Sequence, residues 1–271
     1  MKINQSRAFV RPPAVLRMTV FAIFSAAAAL LFCGQAGAAL SAADQSLFQE
    51  ANRLYRGDKY EQAAQGYQKL AEAYPEESVF QFNLGNAQFR LKHSGAAILA
   101  YEKARMLSPR SRDIRANLNF ALSQLEYRVE DKRSWYVRAG EDWLGRVTET
   151  EVLILALLAG FLFLGSWTLA LWLRAGRPWG VPRKTLLIFF MVSVAIFAAK
   201  RIETRMIRDA IVMTKQAEVR FGPSEGDRVA FRLGEGLKVY VIDRRQDWSR
   251  IVLVNGDEGW IQNSKIAEVL A

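Results

Sequence analysis

A long uncharged stretch in the middle of the chain, Val152 to Leu173, limits what the protein can fold into. It has 22 residues, and none of them is charged or is proline. A helix needs about 20 consecutive apolar residues to cross the hydrocarbon core of a bilayer. Inside lipid every backbone amide must be hydrogen-bonded within the segment, and a helix satisfies that requirement. The stretch therefore predicts a transmembrane helix over residues 152–173.

A second apolar run, 185–199, follows after a short loop, 174–184. The loop carries four basic residues and no acidic one, and such loops stay on the cytoplasmic side of the membrane. The second run has 15 residues and covers only about 22 Å as a helix, so the basic residues that flank it would have to snorkel. We expect two transmembrane helices, with one span plus a re-entrant or interfacial helix as the alternative.

The formal net charge of +10 is not spread evenly along the chain. Residues 1–38 hold 4 basic residues and no acidic one, and residues 136–208 hold 10 basic and 5 acidic residues. By contrast, residues 39–135 hold 14 and 12, and residues 209–271 hold 9 and 10. The excess thus lies in the leader and beside the apolar runs, where lipid headgroups account for it. Membrane lipid is an expected partner and nucleic acid is not.

The first 38 residues have the three parts of a secretory signal peptide. A basic start is followed by an apolar segment and by Ala36-Gly37-Ala38, which fits a signal peptidase site. We predict cleavage after Ala38, which places both soluble parts in the periplasm of a bacterial inner-membrane protein. A lipoprotein signal that uses Cys33 and an uncleaved anchor are the alternatives. Since Cys33 is the only cysteine, the cleaved chain has no disulfide, thiol nucleophile or thiolate metal site.

Residues 44–127 repeat themselves with a period of 34. The matched pairs are Ala51 and Gly85, Ala63 and Ala97, Tyr67 and Tyr101, and Pro75 and Pro109. Small residues allow two helices to approach closely, an aromatic ring fills the gap to the next repeat, and proline ends the second helix. This pattern resembles the tetratricopeptide repeat. We predict an all-α solenoid of two repeats, with a capping helix near Leu118.

The resemblance implies a peptide-binding groove lined by the first helix of each repeat. The candidate groove residues are Phe48, Asn52, Tyr55, Phe82, Asn83, Asn86, Phe89 and Asn117. The carboxylate-binding subclass of the family has a lysine where this chain has Phe48, and basic residues where it has Asp113 and Asn117. A free acidic C-terminus is therefore not the expected ligand. The alternative is that some of these aromatic side chains only pack between repeats.

Residues 128–151 form a juxtamembrane linker that is rich in aromatic residues. Trp135, Tyr136 and Trp143 stand among charged residues, a mixture typical of a segment at the level of the lipid headgroups. A plain linker helix is the alternative.

Residues 210–271 change to the alternating pattern of short β-strands separated by glycine-rich turns. The motifs are Val219-Arg220-Phe221-Gly222-Pro223-Ser224, Leu233-Gly234-Glu235-Gly236, Asp247-Trp248 and Gly259-Trp260-Ile261. They resemble the bacterial SH3 domain, a small all-β barrel. The resemblance implies binding to cell-wall peptides or protein surfaces, with Trp248 and Trp260 as candidate ligand-binding residues. Alternatively, the two tryptophans belong to the core or rim of the barrel.

No pattern of residues predicts an enzyme, a cofactor or a metal site. His93 is the only histidine, and the acidic residues are scattered among turns and helix starts. The chain has no nucleophile–base pair, phosphate loop or metal-ligand spacing. Neither apolar run contains an ionisable residue, which disfavours a transporter.

The whole arrangement predicts a multi-domain membrane protein: a tetratricopeptide-repeat solenoid, two transmembrane helices and an SH3-like barrel. This order is similar to that of BatE-type proteins of the aerotolerance (Bat) operons. The resemblance implies a scaffold of an envelope complex linked to stress or oxygen tolerance. It also implies two partners, membrane proteins with von Willebrand A domains and a MoxR-type ATPase. The alternative is a peptidoglycan tether that recruits cell-wall enzymes.

Overall fold

The computed structural model describes residues 40–172, 180–206 and 208–269. The predicted signal peptide and most of the predicted cytoplasmic loop lie outside these residues. The helices are α1 Ala42–Arg56, α2 Tyr60–Ala73, α3 Ser78–Arg90, α4 Ser94–Leu107, α5 Arg112–Ser123, α6 Trp135–Gly145, α7 Glu149–Trp172 and α8 Gly180–Met206. The strands are β1 Arg208–Val212, β2 Ala217–Arg220, β3 Val229–Leu233, β4 Lys238–Arg245, β5 Trp248–Val252, β6 Glu258–Gln262 and β7 Ile266–Glu268.

Helices α1 to α5 follow the 34-residue period of the sequence. The small residues predicted at the helix contacts are needed there, because a Cβ at Gly85 would lie 2.6 Å from the Tyr101 ring. In the same way, a Cβ at Gly66 would lie 2.9 Å from the Cβ of Ala51. Asp58 and Lys92, which are also 34 residues apart, have positive φ angles of 58° and 63° in the turns inside the two repeats. The predicted helix pairs are confirmed.

Seven antiparallel strands form the sheet after α8, in the order β3-β2-β6-β5-β4-β1-β7. Alternate side chains of these strands fill the core, with Val219, Val239, Ile251 and Ile261 all fully buried. Irregular pairing between Val219 and Arg220, and between Val241 and Asp243, bends the strands. The first strand begins at Arg208, two residues before the predicted start of this domain.

The repeats and the sheet pack against each other, a contact that the sequence analysis did not predict. Residues 39–152 and 195–271 belong to one compact unit. Ile98 and Leu118 of the helices share a hydrophobic cluster with Ile211 and Val269, and none of the four is more than 4% exposed. We call this contact the seam. Burying one such aliphatic side chain contributes about 1.5–3 kcal/mol, so the seam stabilises both sides.

Residues 153–194 form a second unit, whose described part is made of α7 and α8. The two helices meet at Gly160, where a Cβ would lie 3.1 Å from the Phe190 ring. Residues 180–184, which the sequence analysis assigned to the loop, are helical and begin α8. Many outward side chains of this pair are large and apolar, including Leu162, which is 54% exposed.

Among the described residues, no single helix combines the length and the mean hydropathy of a membrane span. One bent pair, Trp135–Gly145 with Thr150–Ser166, meets both criteria together across a bend of 82°. The spans over 152–173 and 185–199 remain predictions.

Candidate functional site

One asparagine–tyrosine contact occurs in both repeats and organises the predicted groove. The Tyr67 hydroxyl donates to Asn52 Oδ1 at 2.8 Å, and the Tyr101 hydroxyl donates to Asn86 Oδ1 at 2.8 Å. In each repeat the tyrosine comes from the second helix and the asparagine from the first. Each contact therefore fixes the amide of the asparagine on the helix that lines the groove.

The two tyrosines are held in their neutral form by burial. Burial raises the pKa of Tyr67 to about 12, and it raises the pKa of Tyr101 even further. A neutral hydroxyl is a hydrogen-bond donor at physiological pH, so each tyrosine occupies the carbonyl oxygen of its asparagine. Among the described residues, the amino groups of Asn52 and Asn86 have no acceptor, and they remain available to a ligand.

The second repeat extends this contact into a network that joins three helices. Asn117 Nδ2 of α5 donates to Asn86 Oδ1 at 2.8 Å, alongside the Tyr101 hydroxyl. The predicted residues Asn86 and Asn117 are thus brought together, while Asn83 lies half-buried on α3. These amides lie on one side of the repeats and present polar groups suited to a peptide backbone.

Several predicted groove aromatics pack inside the repeats instead of standing free. The Phe48 ring lies 5.3 Å from that of Phe80, and the Tyr55 ring lies 5.3 Å from that of Tyr60. Phe82 packs 6.0 Å from Tyr101. For these residues the packing alternative describes what their side chains do, and their part in ligand binding is secondary.

Phe89 is different, because its ring is only half-buried and is paired with a second exposed ring. The centroids of Phe89 and Phe120 are 5.6 Å apart, and Phe120 is 57% exposed. The sequence analysis missed Phe120, although its place one turn after Asn117 on the capping helix was a usable signal. The two rings form an apolar platform next to the amides of Asn86 and Asn117.

In the barrel, the two predicted tryptophans are mostly inside. Trp248 is 9% exposed and Trp260 is 8% exposed, and the Arg245 guanidinium covers the Trp260 ring at 5.1 Å. Phe221, which the sequence analysis quoted only as part of a motif, is 68% exposed at the end of β2. The Gly222-Pro223 turn after it carries this ring into solvent, so Phe221 is the more accessible aromatic residue of the barrel.

The barrel is also the part of the chain with a known counterpart. Residues 214–268 match the family model of the bacterial SH3 domain. The predicted SH3-like barrel is therefore confirmed, and it is a module of a kind that binds proteins or cell-wall material. No curated protein matches the chain.

The repeats and barrel also enclose a cleft away from the predicted groove. It has a volume of about 360 Å³ and is lined by α2, α3 and α4 together with Met213 of the barrel. Within the described residues, no group of three or more His, Cys, Asp or Glu side chains is placed to hold a metal ion. The groove and the exposed face of the barrel are thus the two surfaces with ligand-binding character.

Proposed function

We propose that this protein is a non-enzymatic scaffold that binds partner proteins through two surfaces of one compact body. The helical repeats are proposed to be tetratricopeptide repeats, whose groove takes an extended protein segment. The observation that carries this proposal is the duplicated tyrosine–asparagine contact, which fixes two amides at equivalent places on the groove helices. The platform of Phe89 and Phe120 beside them supports an apolar anchor residue in the ligand.

The proposed scaffold is attached to the bacterial inner membrane by residues 152–199. The large apolar side chains that face outward on α7 and α8 support this attachment, since such a surface is unfavourable in water. Helix α6 supports it as well. Trp135, Tyr136 and Trp143 are each more than 60% exposed, and they lie just before the apolar run, as interfacial aromatic residues do.

We further propose that the partners are those of a Bat-type envelope complex linked to stress or oxygen tolerance. They would be membrane proteins with von Willebrand A domains and a MoxR-type ATPase. The support is the order of the modules along the chain and the bacterial SH3 match at its end. With a cleaved signal peptide, both binding surfaces are on the periplasmic side.

Binding of peptidoglycan is the second candidate function. It is favoured by the bacterial SH3 domain, which is also a cell-wall-binding module, and by the exposed Phe221 ring at the edge of the barrel. In this alternative the barrel holds the wall while the groove recruits an enzyme that makes or cuts it.

Cross-linked affinity purification of the tagged full-length protein from native membranes tests these proposals. Enrichment of von Willebrand A-domain proteins or of the ATPase supports the Bat-type scaffold. Enrichment of wall fragments or cell-wall enzymes moves the assignment to the tether.

Two variants separate the surfaces in the same experiment. Phe120→Ala removes the exposed half of the groove platform, and Phe221→Ala removes the exposed ring of the barrel. Loss of the partner with Phe120→Ala alone assigns it to the groove, and loss with Phe221→Ala alone assigns it to the barrel. Retention of the partner by both variants contradicts binding at either surface.

A further inference from the structure

The seam joins two parts of the chain that lie on opposite sides of the apolar helices in sequence. Its centre is apolar, with Ile98 and Leu118 from before α7 packed against Ile211 and Val269 from after α8. Ile98 and Ile211 are fully buried. In the absence of the other side, each half would expose a continuous apolar face to water.

A buried group of charges borders this apolar centre. Glu102 of α4 is 5% exposed, and its Oε2 accepts from Arg105 Nη2 at 2.8 Å. Lys238 Nζ of the barrel lies 3.8 Å from Glu102 Oε2 and 2.5 Å from Asp209 Oδ2. Burial alone would lower the pKa of Lys238, but the carboxylates of Glu102 and Asp209 outweigh it and raise that pKa. Lys238 therefore stays charged and links the helices to the barrel.

The backbones of the two halves also approach closely. The Gly95 amide donates to Glu235 Oε1 at 2.8 Å, and a Cβ at Gly95 would lie 2.9 Å from the Val212 carbonyl oxygen. On the barrel side, a Cβ at Gly236 would lie 2.9 Å from Ile98 Cδ1. Glycine on both sides of the contact indicates a specific fit between two fixed surfaces, because any side chain at either position would separate them.

We infer that the apolar segment 153–194 enters and leaves the membrane on the same face, so that the repeats and the barrel lie on one side. Contacts of a few ångströms cannot form across a hydrocarbon core of about 30 Å. An even number of crossings, or a re-entrant hairpin, keeps the seam intact, and a single crossing breaks it. The inference rests on the proposed membrane attachment. It decides against the alternative of one span followed by an interfacial helix.

The first part of the test asks whether the seam forms in the membrane. In full-length protein with Cys33→Ser, the pair Glu102→Cys and Lys238→Cys is treated with a short bis-maleimide in native membranes. We expect an internal cross-link in most molecules, and a cross-link at least tenfold weaker for the control pair Gln62→Cys and Lys238→Cys. Equal, weak cross-linking of both pairs overturns the inference.

The second part asks on which face each half lies. Single variants Glu76→Cys in the repeats and Ser224→Cys in the barrel, both at exposed positions, are treated with a membrane-impermeant maleimide in spheroplasts and after lysis. The inference requires both to be labelled alike. Labelling of one position and protection of the other until lysis overturns it.

The same samples separate this inference from the proposed function. If both positions are protected until lysis, the shared face stands and the periplasmic assignment fails. If a carbonate wash releases the protein, the membrane attachment fails, and the inference about crossings fails with it. If the protein resists the wash but its halves are labelled from opposite sides, only the inference fails.

Discussion

The second helices of the two repeats, α2 and α4, have the same inward face and different outward faces. Ala63 and Ala97 are fully buried at equivalent positions, and Tyr67 and Tyr101 make equivalent hydrogen bonds. The outward residues Ala64, Gln65 and Gln68 of α2 correspond to Ile98, Leu99 and Glu102 of α4. The first set is small or polar, and the second set includes seam residues.

This difference shows how one repeat was adapted to carry a barrel. The positions that pack the two helices of a repeat together cannot vary much, because a Cβ or a smaller ring would change the spacing of the helices. The outward positions are free of that constraint, and in α4 they hold the apolar and charged groups that the barrel covers. The first repeat therefore serves as an internal control for the second.

The largest expected effect is at the centre of the seam. Ile98→Ala should lower the free energy of unfolding by about 2–5 kcal/mol, because it leaves a cavity between α4 and the barrel. Chemical denaturation of the detergent-solubilised full-length protein, followed by tryptophan fluorescence, measures this change. Gln65→Ala, on the outward face of α2, should change it by no more than about 0.5 kcal/mol. Similar losses for both variants would remove the distinction between the repeats.

The next largest effect concerns the buried charge of the seam. Glu102→Gln should cost about 1–3 kcal/mol, since it removes the acceptor of Arg105 and one of the two carboxylates beside Lys238. The reciprocal change in the first repeat, Gln68→Glu, should have almost no effect on the same denaturation curve. A cost for Gln68→Glu that equals that of Glu102→Gln would show that the charge is not specific to the seam.

A smaller effect tests what the two repeats share. Tyr67→Phe should cost about 1 kcal/mol at neutral pH through the loss of its hydrogen bond to Asn52. The pKa of Tyr67 is raised from 10.0 to about 12 in the folded chain, so the unfolded chain releases this proton first. Stability is therefore fully present below pH 10 and falls as the pH rises toward 12.

The alkaline fall should be shallower in Tyr67→Phe than in the unmodified protein, as measured by denaturant midpoints at several pH values. The raised pKa of Lys238 acts in the same direction above its ordinary value, so part of the fall should persist in this variant. An unchanged pH profile would contradict the buried, neutral state of Tyr67.

The smallest effect on stability is expected at the groove platform. Phe120→Ala should change the free energy of unfolding by no more than about 0.5 kcal/mol, because most of its ring is already in water. Partner capture should nevertheless fall about tenfold or more, as for other aromatic anchors of an interface. Unchanged capture, quantified by mass spectrometry against Phe221→Ala, would remove this platform from the binding surface.

The features that could be predicted from the sequence are those with a local pattern. The spacing of Ala63, Tyr67 and their partners predicted the helix pairs, and alternation together with glycine turns predicted the barrel. The seam has no such pattern, since Gly95 and Glu235, which meet there, are 140 residues apart. The one signal for it was the replacement of Ala64 and Gln65 by Ile98 and Leu99, which is apolar where the first repeat is not.

The candidate site divides in the same way. Asn52 and Asn86 were found because the repeat marks their positions, whereas Phe120 lies in the capping helix, outside the period. Trp248 and Trp260 were chosen as ligand-binding residues for their type. In a barrel this small, alternation along a strand does not tell which face is accessible, and the structure places both largely inside.

The sequence distance across the seam also sets an order of events in the cell. Helix α4 leaves the ribosome long before β1, so Ile98 remains uncovered while the whole apolar segment is being made and inserted. Contacts between residues so far apart in the chain form slowly, because a large loop must close first. The repeats thus complete their fold only after the C-terminal barrel has been synthesised and has reached them, and a chain truncated before β1 emerges with its aggregation-prone face permanently open.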